Sequence, residues 1–382
     1  MNLSDVARVN SGYMFKSTDW RPEGVPVIKI GNVKAGFVDL SGCSYVDEQV
    51  AEQAREYEVS SSDIVIAMTG YVGEVAVVGN IGKALLNQRV GRFVVTSPDR
   101  LSEQFLFYFL RQTSIKDELI ARAHGSAQPN LSNSAILALA INLPELSEQQ
   151  AIAEVLGALD DKIAANTKLA ATADELAASL VRRATDGAET ISLVEIATLV
   201  MGSSPAGTTL NESGEGVVFY QGVRDFGFRF PSNRIWTTSP VRMATAGDTL
   251  ISVRAPVGRV NRANEDVCIG RGVAAATSKT GHPNLLFHLL NASKSIWEPF
   301  EAEGTVFGSI NKKQLESIQL PQVEDESVMK LESSLQAIED SISSALAEVT
   351  ALRSIRDSLL PQLMSGKLRV KEATEQLESL GV

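Results

Sequence analysis

Between residues 152 and 180 the apolar side chains recur in alternating steps of four and three: Ile152, Leu156, Leu159, Ile163, then Asn166, Ala170, Ala173, Ala177 and Leu180. This is the heptad spacing of a coiled-coil seam. A second run has the same rhythm: Val328, Leu331, Leu335, Ile338, Ile342, Ala345, Val349, Leu352, Arg356, Leu359 and Leu363. Each predicts a helix of about 35 residues, about 50 Å long at 1.5 Å per residue. Ser147, with Glu148 and Gln150 behind it, reads as a capping-box start, Gly187 as a stop, and Pro361 as a bend or an end. Burying one Leu or Ile contributes about 1.5–3 kcal/mol, so two such seams in one chain should associate. Joined through a whole domain, they run most simply antiparallel. The alanines let the backbones approach closely, and Asn166 is a candidate for fixing the register.

Outside these runs the pattern is short, strand-like and repeated. NLSDVARVNSG at the start is answered by SLVEIATLVMG from Ser192, with Gly12 over Gly202. VPVIKIGNVKAGFVD (25–39) is answered by GVVFYQGVRDFGFRF (216–230). SSSDIVIAMTGYVGEVAVV (60–78) matches TAGDTLISVRAPVGRVNRA (245–263), with Asp63 over Asp248 and Gly73 over Gly258. HGSAQPNLS (124–132) aligns with EGTVFGSIN (303–311), and both halves then pass through Leu-Pro, at 143–144 and 320–321, into a long helix. A domain followed by a helix therefore occurs twice. The expected fold class is α+β: two mixed α/β domains related by a pseudo-two-fold axis and separated by an antiparallel two-helix coiled coil. The expected boundaries are 1–146 (first domain), 147–186 (first helix), 187–322 (second domain) and 323–382 (second helix and tail).

Hydrophobic residues make up 44% and charged residues 21%, as in a folded soluble chain. Two cysteines, Cys43 and Cys268, are too few for a disulfide framework, and no uncharged apolar run is long enough to span a bilayer. The expectation is a cytoplasmic protein without a membrane partner. The net charge of −11 argues at first against nucleic acid, but −3 of it falls in 147–186 and −5 in 323–382, the helical segments. The domains remain free to carry local basic surface.

Catalytic signatures are missing. Gly82-Lys83 is followed by Ala84 and Gly366-Lys367 by Leu368, so neither makes a phosphate-binding loop. GYVGEVAVVG has the glycines of strand turns. There is no Asn-Pro-Pro-aromatic segment of the amino-methyltransferase kind, and His124, His282 and His288 stand apart with no metal-ligand spacing. The chain reads as a non-enzyme with no metal or cofactor of its own. Two classes remain: a DNA-reading protein with two heads, and a coiled-coil adaptor between proteins.

GSAQPNLS followed by INLPELSEQQAIAEVLGALDDKI resembles the junction of recognition domain and conserved helix in type I restriction–modification specificity subunits. The terminal LLPQLMSGKLRV (359–370) resembles the second conserved region of that family. The resemblance covers essentially the whole chain, although VEDESVMKLE and Thr-Val-Phe depart from the pattern at the second junction. It implies a subunit that binds a bipartite double-stranded DNA target. It also implies docking of two modification subunits, which carry S-adenosylmethionine, and of restriction subunits, which use ATP and magnesium.

Arg pairs bidentately with guanine and Asn or Gln with adenine, while Lys, Arg and Ser hold phosphates. By residue type and loop position the candidates in the first half are Lys29, Asn32, Lys34, Tyr71, Asn87, Gln88, Arg89, Arg92, Ser126, Gln128 and Asn130. Those in the second half are Arg224, Arg229, Arg254, Arg259, Arg262 and Arg271. Gly125 and Pro129 make HGSAQPNLS a stiff polar loop. The simpler reading of Gln128 and Asn130 is as caps of the chain entering the next strand.

Overall fold

A computed structural model describes residues 1–124, 129–301 and 308–380. It is mixed α/β and divides into two compact units, Met1–Ala164 with Thr350–Val382 and Ala165–Val349. The division cuts both long helices instead of falling at their ends, because helix and sheet residues share a core. In unit 2, Ala177, Val181, Leu331 and Leu335 pack in one cluster with Leu199, Ile251, Ala274 and Leu286.

Unit 1 holds two five-stranded sheets. The first runs Ala7–Ser11, Val90–Val95, Ile64–Ala67, Val75–Val77, Gly36–Phe37. The second runs Trp20–Arg21, Ser44–Val46, Val25–Ile28, Ala84–Leu86, Glu58–Val59. Alternation of apolar and polar residues puts Val9 inside between exposed Arg8 and Asn10, whereas Ile64–Ala67 is buried throughout. Unit 2 repeats the order, except that its first sheet lacks a counterpart of the Gly36–Phe37 strand. Its first sheet is Ala197–Met201, Val273–Ser278, Thr249–Ser252, Val260–Arg262, and its second is Leu210–Asn211, Trp236–Thr237, Val217–Tyr220, Val267–Ile269, Met243–Ala244. Even the one parallel pairing of the second sheet recurs, Val25–Ile28 with Ala84–Leu86 and Val217–Tyr220 with Val267–Ile269.

Matched residues do matched work. Asp63 accepts from Ser60 N and Asp248 from Thr245 N, both at 2.8 Å, closing the turn before the same strand. A Cβ on Gly12 would lie 2.3 Å from the Leu86 carbonyl oxygen, and one on Gly202 would lie 2.2 Å from that of Gly270. Glycine is required at both because one backbone crosses directly over another.

The long helices are Leu146–Ala184, of 39 residues, and Asp325–Met364, of 40. The first starts one residue before Ser147, so Ser147 is inside the helix and does not cap it. Gln149 anchors that end instead: fully buried, it donates to the Arg100 and Pro144 carbonyls at 2.8 and 2.9 Å and accepts from Ser102 N at 3.0 Å. Gly187 follows the helix end in the left-handed region (φ 69°). Pro361 does not end the second helix, which runs on to Met364; so near the end its missing N–H costs one hydrogen bond.

Ile152, Leu156, Leu159 and Ile163 are buried in unit 1, as are Leu352, Leu359 and Leu363. In unit 2 Ala170, Ala177 and Val181 are buried, as are Leu331, Leu335, Ile342, Ala345 and Val349, with Ile338 half-buried among them. Leu180 is half-buried, packed on the domain core, and Val181 takes the seam position, because the repeat slips by one residue along the alanine stretch. Asn166 donates to Glu348 at 2.7 Å, and Ala170 meets Ile342 and Ala345, so the two helices run antiparallel within this unit.

Each unit also has a carboxylate of a long helix buried against its domain. In unit 1 Asp160 binds Arg111 and Arg356, both at 2.6 Å, and accepts from the Tyr108 hydroxyl at 3.0 Å. Burial disfavours the charged form of Asp160, but the Arg111 and Arg356 guanidiniums outweigh it and hold its carboxyl below the ordinary range. In unit 2 Glu339 meets His288 Nε2 at 2.8 Å, Arg229 at 3.4 Å and Arg262 at 3.5 Å. Arg229 also binds Asp174 of the first long helix at 2.5 Å. Burial likewise opposes the charge on Glu339, and the His288 hydrogen bond with the Arg229 charge lowers its pKa nonetheless.

Two outcomes follow from this packing. Leu156→Ala, at a fully buried position, should cost about 2–5 kcal/mol in urea unfolding, and Leu169→Ala, at a half-exposed one, within about 0.5 kcal/mol. Because the Asp160 pKa is depressed on folding, its stabilisation is present above the unfolded value of 3.8 and lost as pH falls below it. The stability gap between wild type and Asp160→Asn should therefore be constant at neutral pH and close below about pH 4.

Candidate nucleic-acid interface

In unit 1 three connections are laced together at one place. His124 and Asn130 exchange backbone hydrogen bonds at 3.0 and 2.8 Å. Asn130 also bridges to Thr69, Leu131 N donates to the Met68 carbonyl at 2.8 Å, and Met68 N donates to that of Arg89 at 2.9 Å. The Arg89 guanidinium donates to the Asn130 side chain at 3.1 Å. The connection after Ile64–Ala67, the one after Ala84–Leu86 and the chain at Asn130 thus present Tyr71 (61% exposed), Arg89 and Asn130 to solvent, with Asn87 half-buried beside them. Ser126 and Gln128 lie outside the described residues.

Unit 2 uses the same lacing. Val253 N donates to the Gly272 carbonyl, Ile310 N to that of Val253 and Ala255 N to that of Gly308, at 3.0, 3.1 and 3.0 Å, and Arg254 bridges to Ser309. Arg254, Arg259 and Arg271 are exposed on these connections. The position held by Thr69 in unit 1 is Arg254 here, so the frame is constant and its side chains differ.

The remaining candidates separate by burial. Lys34 and Arg224 are exposed, and Gln88 is half-buried. Lys29 is half-buried, its ammonium 3.7 Å from the Trp20 ring centre and 2.7 Å from Ser44 Oγ, and desolvation lowers its pKa. Four readings need correction. Asn32 is buried, accepting from Lys29 N and donating to the Asp39 carbonyl, both at 2.9 Å, so its amide shapes a turn. Arg92 reaches the Glu58 carbonyl at 2.8 Å and Asp63 at 3.4 Å and stays in the wall of a cleft of about 430 Å³ with Ser11, Tyr57 and Asn133. Arg229 is 1% exposed and Arg262 is mostly buried, both committed to the Glu339 cluster. Neither guanidinium is on the surface to meet a base.

Three surface groups escaped the sequence reading. Phe228 is 53% exposed in the connection after Val217–Tyr220. Arg234, salt-bridged to buried Asp225 at 2.9 Å, lines a cleft of about 360 Å³ with Gln221 and Arg224. Arg242 is exposed beside the Met243–Ala244 strand. Their common signal was position on connections of the second repeat, which residue type alone does not rank.

The chemistry on offer is recognition. Arg89, Arg254, Arg259 and Arg271 are of the type that reads guanine, Asn130 of the type that reads adenine, and Tyr71 offers an aromatic face for a base. Among the described residues no group of three His, Cys, Asp or Glu side chains could hold a metal ion. No helix among them is long and apolar enough to cross a membrane.

Comparison with known proteins places the chain among similar ones. Residues 1–173 match the type I restriction modification DNA specificity domain. A Methanocaldococcus jannaschii protein carrying the name type I restriction enzyme MjaX specificity subunit is 28% identical over 97% of this chain and 93% of its own. The type I restriction enzyme MjaVIII specificity subunit of the same organism is 33% identical over 43% of this chain and 39% of its own. The solved type I restriction–modification S subunit of M. genitalium shares the fold, with a TM-score of 0.62 and 18% identity over 95% of each chain. The first 173 residues thus match the DNA specificity domain of type I restriction–modification systems, and nearly the whole chain is similar to a protein named as a specificity subunit, a kind of subunit that is not itself an enzyme.

Proposed function

We propose that the chain reads a bipartite double-stranded DNA target, each unit's laced connections reading one half. The observation that carries this is the recurrence of the same three-connection cluster in both units, each time with exposed Arg, and in unit 1 with exposed Asn and Tyr. Tyr71, Arg89 and Asn130, with Lys34, Asn87 and Gln88 beside them, act in the first unit. Arg254, Arg259 and Arg271, with Arg224, act in the second. A rigid scaffold under variable loops suits sequence reading, since a loop residue can change without disturbing the sheets.

The long helices dock two modification subunits, and restriction subunits join that assembly in the cytoplasm. S-adenosylmethionine, ATP and magnesium belong to those partners. The modification subunits flip and methylate an adenine, a step for which this chain supplies position only. With a net charge of −11, the isolated chain neutralises few phosphates and binds DNA weakly. Affinity rises when the modification subunits close around the duplex.

The test is base discrimination by the assembled complex. Arg89→Ala should lower discrimination only in the half read by unit 1. Arg254→Ala with Arg259→Ala should lower it only in the other half, each lost base contact being worth about 5- to 150-fold. Unchanged discrimination in both halves would reject the loop clusters as the reading surfaces. The dependence of affinity on salt should keep its slope in any variant whose lost contact is to a base, and flatten by about one unit where it is to a phosphate.

A further inference from the structure

The two buried carboxylates hold equivalent places. Asp160 lies 14 residues after the first long helix begins at Leu146, and Glu339 lies 14 residues after the second begins at Asp325. Their partners match as well: Tyr108 and His288 each lie five residues into a short domain helix, Glu103–Arg111 and Pro283–Ala292. What differs is where the cation comes from.

In unit 1 Arg111 comes from the end of the short helix, and its guanidinium passes beside Gly36, where a Cβ would lie 3.3 Å from it. In unit 2 the place of Arg111, eight residues into the short helix, is Asn291. The cation is instead Arg229, from the segment corresponding to Gly36. Gly36–Phe37 pairs with Ala76 and Val77, and the Arg229 carbonyl accepts from Arg262 N of the corresponding strand at 2.9 Å. A glycine and an arginine in one unit are thus replaced by an arginine and an asparagine in the other.

The exchange has a mechanical result. In unit 1 the charge ties a helix to a helix, leaving the Gly36 connection out of the joint. In unit 2 the charge ties the connection itself, through Arg229, to Asp174 of one long helix and Glu339 of the other, with the Phe287 ring 4.4 Å from the guanidinium. That connection carries exposed Arg224 and Phe228, and it is closed on its far side by Tyr220 with Asn233 at 2.5 Å and Arg234 with Asp225. We propose that Arg229, buried and out of reach of DNA, is a positioning residue: it latches the 223–233 connection to the long helices and so sets where Arg224 and Phe228 meet the second half of the target. This rests on the DNA-reading function proposed above.

The unit 1 arrangement supplies the variant that separates charge from latch. Arg229→Ala leaves Glu339 short of a cation and so risks misfolding. Arg229→Gly with Asn291→Arg restores a cation by the route unit 1 uses, without tying the connection. In the full chain, hydrogen exchange across 223–233 should quicken in the double variant, while thermal unfolding stays close to wild type. In the complex with its modification subunit, scored by methylation of a target library, discrimination in the half read by unit 2 should fall about tenfold, the effect of one lost base contact. The other half should be unchanged. Unaltered exchange would overturn the latch. Quickened exchange with full discrimination would overturn its role in positioning. A wild-type complex with no second-half preference would overturn the DNA-reading function itself, while the exchange data would still judge the latch.

Discussion

The structure depends on carboxylates largely withdrawn from water where the long helices meet their domains, Glu339 at 3% exposure and the Asp160 side chain at 25%. A carboxylate buried without a partner costs several kcal/mol, and breaking a buried pair costs about as much again as most single contacts contribute. Asp160 and Glu339 are each placed where a long helix meets its domain: Asp160 gathers Arg111 of the domain and Arg356 of the other long helix, and Glu339 gathers Arg229 and Arg262 of its domain. Apolar packing along the seam would tolerate a small slide of domain on helix, because dispersion contacts are non-directional. Hydrogen-bonded ion pairs at 2.6 Å, and the 2.8 Å hydrogen bond of His288 with Glu339, do not. The seam therefore supplies most of the adhesion and the buried carboxylates supply the alignment.

Under the proposed function alignment matters, because that function assigns recognition to loops. In each unit the backbone hydrogen bonds joining three connections are the same, down to the pairing of Met68 with Arg89 and of Val253 with Gly272. The sheets under them recur in the same strand order, one edge strand short in unit 2. Side chains on this frame differ between the units, Arg254 standing where unit 1 has Thr69. Under the proposed function, such a frame lets the residues that read DNA change while the sheets stay as they are.

The seam was legible because a 3.5-residue period survives any change of neighbour, and the repeat was legible because glycines under crossing backbones and aspartates in turns have few substitutes. Gly12 with Gly202 and Asp63 with Asp248 were matched before their geometry was known, and each pair does the same work. The failures share a cause. Arg224 and Arg229 are five residues apart in one connection, one exposed and one buried, and residue type gives no hint which is which. Arg262 alternates inward on a strand whose partner helix was needed to see it. Leu180 lost its seam position to Val181 because alanines keep no strong phase. Ser147 had the letters of a cap, but the helix began one residue earlier, held by Gln149 through contacts with residues almost 50 positions away.

The central claim is that two like units read two unlike DNA sequences, and methylation maps test it most directly. The full chain would be co-expressed with its modification subunit and the genomic DNA sequenced for methylated adenine. The account predicts one motif of two specific parts separated by a gap of fixed length. A stable complex with an active methyltransferase but no motif, or a motif with a single part, would contradict it.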